Sequence, residues 1–299
     1  MNDLFQSALA DAQSGNFPAA EATLNQLLSG RLSRDAEAAA CGLLGVVELY
    51  LGRIDDAVSS LHKSVRLRSN NADAHSNLCN ALRLQGKNLG AAIRHGRKAV
   101  ALRSGFPEAW LNLGNALEEK GALDDAVVAF RKALAQRPDY PAAQFSLGNA
   151  LGKRGEHAAA VDAYRAALAD DPEFAEAQLN LGGALEALGE LDGAIAACRA
   201  ALAIMPDYPE ALLNLGSLLT KCGKIDASIG LLDRALANDP GFAAAHLGRG
   251  NALEARGDLD DAISAYWRAV DILQDLAEAH VNLGNALLES GHRDGEVQA

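Results

Sequence analysis

The sequence predicts an all-α solenoid, a single array of antiparallel helix pairs over residues 1–299, and three observations carry that expectation. First, the segment PEAWLNLGNALEEKGALDDAVVAFRKALAQRPDY, 34 residues from Pro107, returns in related form from Pro141, Ala175 and Pro209. A fixed period in that range marks stacked repeats, each of which touches only its neighbours. Second, 49% of the chain is apolar and 5% aromatic, with Ala and Leu in the majority; these residues favour helix over strand. Third, apolar residues recur at helical spacing within each unit, as in Trp110, Leu113, Gly114 and Leu117 and then Leu123, Ala126, Val127, Phe130, Ala133 and Leu134.

The glycine at the fifteenth position sets the phase of the array. Gly121 falls between the two helical patterns of its repeat, and its counterparts are Gly15, Gly52, Gly86, Gly155, Gly189, Gly223, Gly257 and Gly291. Glycine suits that place because it accepts positive φ where the first helix must stop. The repeats are therefore expected near 1–37, 38–71, 72–106, 107–140, 141–174, 175–208, 209–242 and 243–276, with a partial one at 277–299. The first has a longer exit over 29–35 and the third one extra residue around 88–90, both tolerable as loop insertions.

Within a unit each recurring residue has a physical reason. Gly114 and Ala126 lack bulk and let paired helices approach closely. Pro138, Pro172, Pro206 and Pro240 end the second helices, since proline offers no N–H and disfavours a helical residue before it. Two residues on, Tyr140, Phe174, Tyr208 and Phe242 are expected to plug the joint to the next repeat. At the start, Ser7 and Asp11 replace apolar residues, as suits a helix facing water. In the ninth repeat Arg293 and Glu296 fall at packing positions, so a second helix is not expected there, while Val281, Leu283, Leu287 and Leu288 leave the preceding helix apolar. Such an end implies a fragment of a longer protein or end-to-end association.

Several classes are disfavoured. Lys and Arg number 27 against 39 Asp and Glu, a formal charge of -12 that repels polyanions, so nucleic acid is not an expected partner. The first residues lack a cationic and apolar leader, and nowhere is there an apolar run long enough to span a bilayer. A cytoplasmic protein without membrane contact is expected. Cys41, Cys79, Cys198 and Cys222 are scattered with no ligand spacing, which indicates no metal and no cofactor. The first three fall at core positions and read as small apolar fillers. No catalytic constellation is recognisable, and His75, His246 and His280 occupy the slot of Trp110, which points to core or interface roles. The chain is not expected to be an enzyme.

The pattern W-x2-L-G, a small residue, an aromatic, then Ala and Pro, carried by Trp110, Leu113, Gly114, Ala126, Phe130, Ala133 and Pro138, resembles the tetratricopeptide repeat (TPR) family. The resemblance covers nearly the whole chain. It implies a right-handed superhelix whose first helices line a concave groove.

One polar feature repeats. The sixth and ninth positions of the first helices lie opposite their packed face. Asn77, Asn80, Asn112, Asn115, Asn149, Asn180, Asn214, Asn251, Asn282 and Asn285 occupy them, with gaps at Ser146 and Gly248. Each Asn costs about 0.5 kcal/mol against Ala in a helix interior, so the set forgoes several kcal/mol. Two readings would offset that. The amides could hold the backbone of an extended peptide in the groove, each bond contributing about 0.5–1.5 kcal/mol, or they could bond to neighbouring helices and set repeat geometry. The ladder is similar to that in the TPR region of O-linked N-acetylglucosamine transferases, where it grips substrate peptides; their catalytic region has no counterpart here.

Asp73, Glu108, Glu176, Glu210 and Glu278 at the second position, with Glu119 and Glu289 at the thirteenth against Lys153 and Lys221, give the groove an acidic lean. A neutral or basic peptide would suit it. Leu111, Phe145, Leu179, Leu213, Leu247 and Val281 at the fifth position could offer apolar pockets or pack on the next repeat. The expected function is a protein-interaction scaffold; the alternatives are the recognition arm of a glycosyltransferase-like protein and a self-assembling structural protein. A clamp for a C-terminal carboxylate is disfavoured, because the second and fifth positions carry no base.

Overall fold

A computed structural model describes residues 2–297 of the chain, with side chains described from 3 to 291. Among the described residues it contains seventeen helices and no strand. The first helices of the repeats, termed A, are α1 (Asn2–Gln13), α3 (Arg34–Tyr50), α5 (Ala72–Gln85), α7 (Pro107–Glu119), α9 (Pro141–Lys153), α11 (Ala175–Ala187), α13 (Pro209–Lys221), α15 (Ala243–Arg256) and α17 (Ala277–Val297). The B helices are α2 (Phe17–Leu28), α4 (Ile54–Leu67), α6 (Leu89–Leu102), α8 (Leu123–Leu134), α10 (His157–Asp170), α12 (Leu191–Ile204), α14 (Ile225–Asn238) and α16 (Leu259–Ile272). The chain forms two compact units, residues 1–155 and 156–299.

Eight of the nine expected turn glycines have positive φ, from Gly15 to Gly257. Gly291 does not: α17 runs through it to Val297. The turn expected at Gly291 is thus corrected, and the reason is physical. Glycine permits a reversal but does not impose one, and here the helix continues through it. The side chains of Arg293 and Glu296 lie outside the described residues. A second difference is at the other end, where α3 begins at Arg34, inside the expected loop. Ser33 caps it by accepting from the Ala36 N–H at 3.3 Å, and Asp35 and Glu37 in its first turn suit the positive end of the helix dipole.

Each A helix meets its B helix where a small residue faces a large one. A Cβ at Gly114 would run into the ring of Phe130, and one at Gly250 into Tyr266; at Gly216 it would sit 2.9 Å from Leu232 Cγ. Phe130, Tyr266 and Leu232 are fully buried. The aromatic joints behave as expected: Tyr208 packs with Leu179, Ala201 and Ala211, and Phe242 with Leu212, Ala235 and Ala245. In the first unit the Arg103 and Arg137 guanidinium groups lie over Phe106 and Tyr140 at 4.4 and 4.6 Å.

Within the first unit α3 packs on α5, α5 on α7 and α7 on α9; within the second, α11, α13, α15 and α17 do likewise. Within each unit the backbones of successive B helices stand farther apart, joined in places by side chains such as His62 with His95 and Arg97 with Asp125. Each stack is therefore tighter on its A side, which makes that side the inner one. At the start Ser7 is exposed, and on α17 Val281 and Leu287 are exposed too.

Candidate functional site

The asparagines lie on the A helices, and all but the exposed Asn285 are half-buried. Their amides divide into two groups. Asn112 Nδ2 donates to the preceding repeat, to Ser76 Oγ at 3.0 Å and Ser76 O at 3.4 Å. Asn282 Nδ2 donates to Asn251 Oδ1 at 2.9 Å, which also accepts from the Tyr266 hydroxyl at 2.9 Å. Asn80 Oδ1 accepts from Arg83 at 3.0 Å. Asn112, Asn251 and Asn282 thus tie helices together, whereas the Asn80 bond stays within α5. Asn77, Asn115 and Asn214 make no side-chain hydrogen bond among the described residues, while Asn149 and Asn180 are engaged.

The fifth-position residues are mostly structural. Leu179 and Leu247 are buried in core clusters, Leu213 packs against one of them, and Leu111 is buried as well; Val281 stays exposed.

The acidic lean of the A side is uneven. In the first unit Asp73 pairs with Arg103, Glu108 with Arg137, and Glu119 with Arg83 at 2.5 Å. In the second, Glu176, Glu210 and Glu278 have no ion pair among the described residues. The thirteenth-position lysines are not free counter-charges: Lys153 reaches Glu118 at 2.8 Å and Lys221 reaches Glu186 at 2.7 Å, each one repeat back.

A structural role emerges for the slot of Trp110. Trp110 Nε1 donates to Ser104 O at 3.0 Å and Gln144 Nε2 to Pro138 O at 2.7 Å. His75, His246 and His280 place Nε2 at 3.1, 3.1 and 2.8 Å from Ser69 O, Pro240 O and Gln274 O. In these five repeats the partner is the carbonyl six residues earlier, so the side chain satisfies the loop that enters its helix. The sequence holds the clue, since His, Trp and Gln have nothing in common but a side-chain N–H.

His75 has a second contact. Its Nδ1 lies 2.8 Å from His95 Nδ1, and His95 meets His62 edge-on with ring centroids 5.7 Å apart. Burial first, then basic neighbours, hold His95 down at about 4, and burial also lowers His75. Cys41, Cys79 and Cys198 are buried, which raises all three thiols, Cys79 to about 12 and Cys198 to about 11. Those values suit fillers, because the thiolate is the reactive form. Among the described residues no three His, Cys, Asp or Glu side chains are placed to hold a metal ion, and no helix is long and apolar enough to cross a membrane.

Helix pairs of this length, stacked through an A side that carries repeating polar side chains, define a helical-repeat interaction scaffold. The chain belongs to the tetratricopeptide repeat family: profiles described as "Tetratricopeptide repeat" match residues 43–105, 145–211 and 187–250, and one described as "TPR repeat" matches 114–155 and 250–291. Among solved structures, the Cut9-Hcn1 hetero-tetramer of APC/C is similar over 91% of this chain with a TM-score of 0.68 and 17% identity. The chain spans about half of that one, 52% of its length. YrrB, a TPR protein, matches 62% of this chain and 95% of its own at 23% identity and a TM-score of 0.52. MamA matches 56% and 97% at 27% identity and a TM-score of 0.51. No curated protein sequence matches the chain.

Proposed function

We propose that this TPR protein holds extended peptide segments of a partner protein along the A side of each of its two units, through asparagine amides that bond to the peptide backbone. The observation that carries the reading is the state of Asn77, Asn115 and Asn214: half-buried amides on the A helices with no side-chain hydrogen bond among the described residues. Each offers a donor and an acceptor to a strand-like backbone. A neutral or basic segment is the favoured ligand, because Glu176, Glu210 and Glu278 stand one per repeat without ion pairs. YrrB, similar in fold, has an unusual peptide-binding site. Asn112, Asn251 and Asn282 serve repeat geometry in this scheme and add little direct affinity.

Selection of a phage-displayed dodecapeptide library on the full chain tests it. Enriched peptides should lose about tenfold or more in affinity to the Asn77→Ala, Asn115→Ala, Asn214→Ala protein. The same variant should unfold no more easily than the parent, since Ala is the better helix former. Undiminished binding by the variant, or no enrichment at all, would overturn the reading.

A further inference from the structure

Net charge conceals a local reversal of sign. Between residues 57 and 107 the chain carries nine Lys and Arg against a single acid, Asp73. Five of the nine bases are committed to ion pairs: Lys63 with Glu37 at 2.7 Å, Arg83 with Glu119 at 2.5 Å, Lys87 with Asp55 at 3.2 Å, Arg97 with Asp125 at 3.3 Å, and Arg103 with Asp73. Arg66, Arg68, Arg94 and Lys98 are exposed and without one.

Helical spacing collects these free cations on one face. His62 and Arg66 stand one turn apart on α4, and Arg94 and Lys98 one turn apart on α6 with His95 next to Arg94. Both pairs lie on the outer, B side of the first unit, where the α4 and α6 backbones stand apart. The rings of His62 and His95 bridge that gap. Behind them, Ser69 O fixes the proton of His75 on Nε2, so His75 Nδ1 accepts and His95 Nδ1 donates. His95 is thereby held between the two helices. The charged groups acting on these rings are Lys98 on His75, and His75, His62 and Arg94 on His95, with no carboxylate among them.

We propose that the outward face of α4 and α6 is a docking surface for an acidic polypeptide segment, with carboxylates received by Arg66, Arg94 and Lys98 around the His62–His95 contact. It is separate from the A side and independent of the groove reading. Charge complementarity selects the occupant. Neither α4 nor α6 carries a Phe, Tyr or Trp on which a nucleobase could stack, and two copies of a chain with formal charge -12 repel each other. A short acidic segment senses mainly the local cations, because the Debye length is about 10 Å at 0.1 M salt.

The test uses the full chain and a fluorescein-labelled deca-glutamate peptide, read by anisotropy. Saturable binding is expected at about 50 mM NaCl and its loss at about 500 mM. The Arg66→Glu, Arg94→Glu, Lys98→Glu protein should bind at least about tenfold more weakly, whereas Arg165→Glu, Arg199→Glu, Arg268→Glu, the same charge change in the second unit, should shift affinity less than about twofold. Circular dichroism checks that both variants are folded. The absence of saturable binding to the parent, or equal weakening in the two variants, would overturn the proposal. So would tighter binding of a uridine decamer to the same face, or a salt-sensitive dimer abolished by the first variant, which would make nucleic acid or a second copy the occupant.

Discussion

Residues 1–155 carry 18 Lys and Arg against 15 Asp and Glu, whereas residues 156–299 carry 9 against 24. The two units are nevertheless built from one repeat, with the same small residue facing the same bulky one, Gly114 against Phe130 in the first and Gly250 against Tyr266 in the second. The difference teaches that the fold reads only the buried positions. Surface charge is left to diverge, and it does so in a way that gives the units different surfaces. In the first, Asp73, Glu108 and Glu119 are neutralised and outward bases remain; in the second, Glu176, Glu210 and Glu278 have no ion pair among the described residues.

The strongest way to break the shared half of this comparison is to empty the common core site. Phe130→Ala and Tyr266→Ala should each cost about 3–5 kcal/mol in urea unfolding. A loss below about 1 kcal/mol in either would mean that the two sites are not equivalent. Filling the opposite side comes next. Gly114→Ala and Gly250→Ala should each destabilise by about 1–3 kcal/mol through overpacking. Gly183→Ala, whose new Cβ meets nothing within 4 Å, should instead gain about 0.5–1 kcal/mol from helix propensity. A similar loss at all three would show that backbone effects, not the facing ring, set the requirement for glycine.

The smallest effect sharpens the contrast between units. His95 on α6 faces His75 of α5 and His62 of α4, with Arg94 beside it, and its pKa is held at about 4. A histidine whose folded pKa is depressed leaves the unfolded chain to bind the proton first, so stability falls as pH drops from about 6.5 to about 4. Buried Glu48 on α3 acts in the opposite sense, since burial raises its pKa and acid relieves the cost of its charge. The informative quantity is therefore the difference between the parent and His95→Gln. Hydrogen exchange should show a shallower acid loss of protection in α4–α6 for the variant and no change in α11–α16. Identical pH profiles in parent and variant would remove the histidine contact from the account.

Much of this architecture is legible in the residues. Gly15 to Gly257 mark the turns, Pro138 and its counterparts close the B helices, and the aromatics two places later fill the joints. The exception is informative, because Gly291 has the right identity and spacing and yet lies within a continuous helix, so glycine permits a turn without imposing one. The proposed site is legible in the sequence as a row of asparagines but not as a set of contacts. Nothing in the local sequence distinguishes Asn112, which bonds to Ser76, from Asn115, which bonds to nothing among the described residues. The basic face could have been found by counting charge along the chain instead of summing it over the whole.

By itself, then, the sequence determined the class of fold, the turns from Gly15 to Gly257 and much of the buried set within each helix pair. Those follow from periodicity and backbone preference, which act over a few residues and repeat with the chain. Only the tertiary structure decided which polar groups meet: His75 with His95, Asn282 with Asn251, Lys153 with Glu118, Lys221 with Glu186. Such pairings join helices separated by up to a full repeat. They depend on how far one repeat rises over the last and which rotamer each side chain takes there, and neither quantity is a property of any short stretch of sequence.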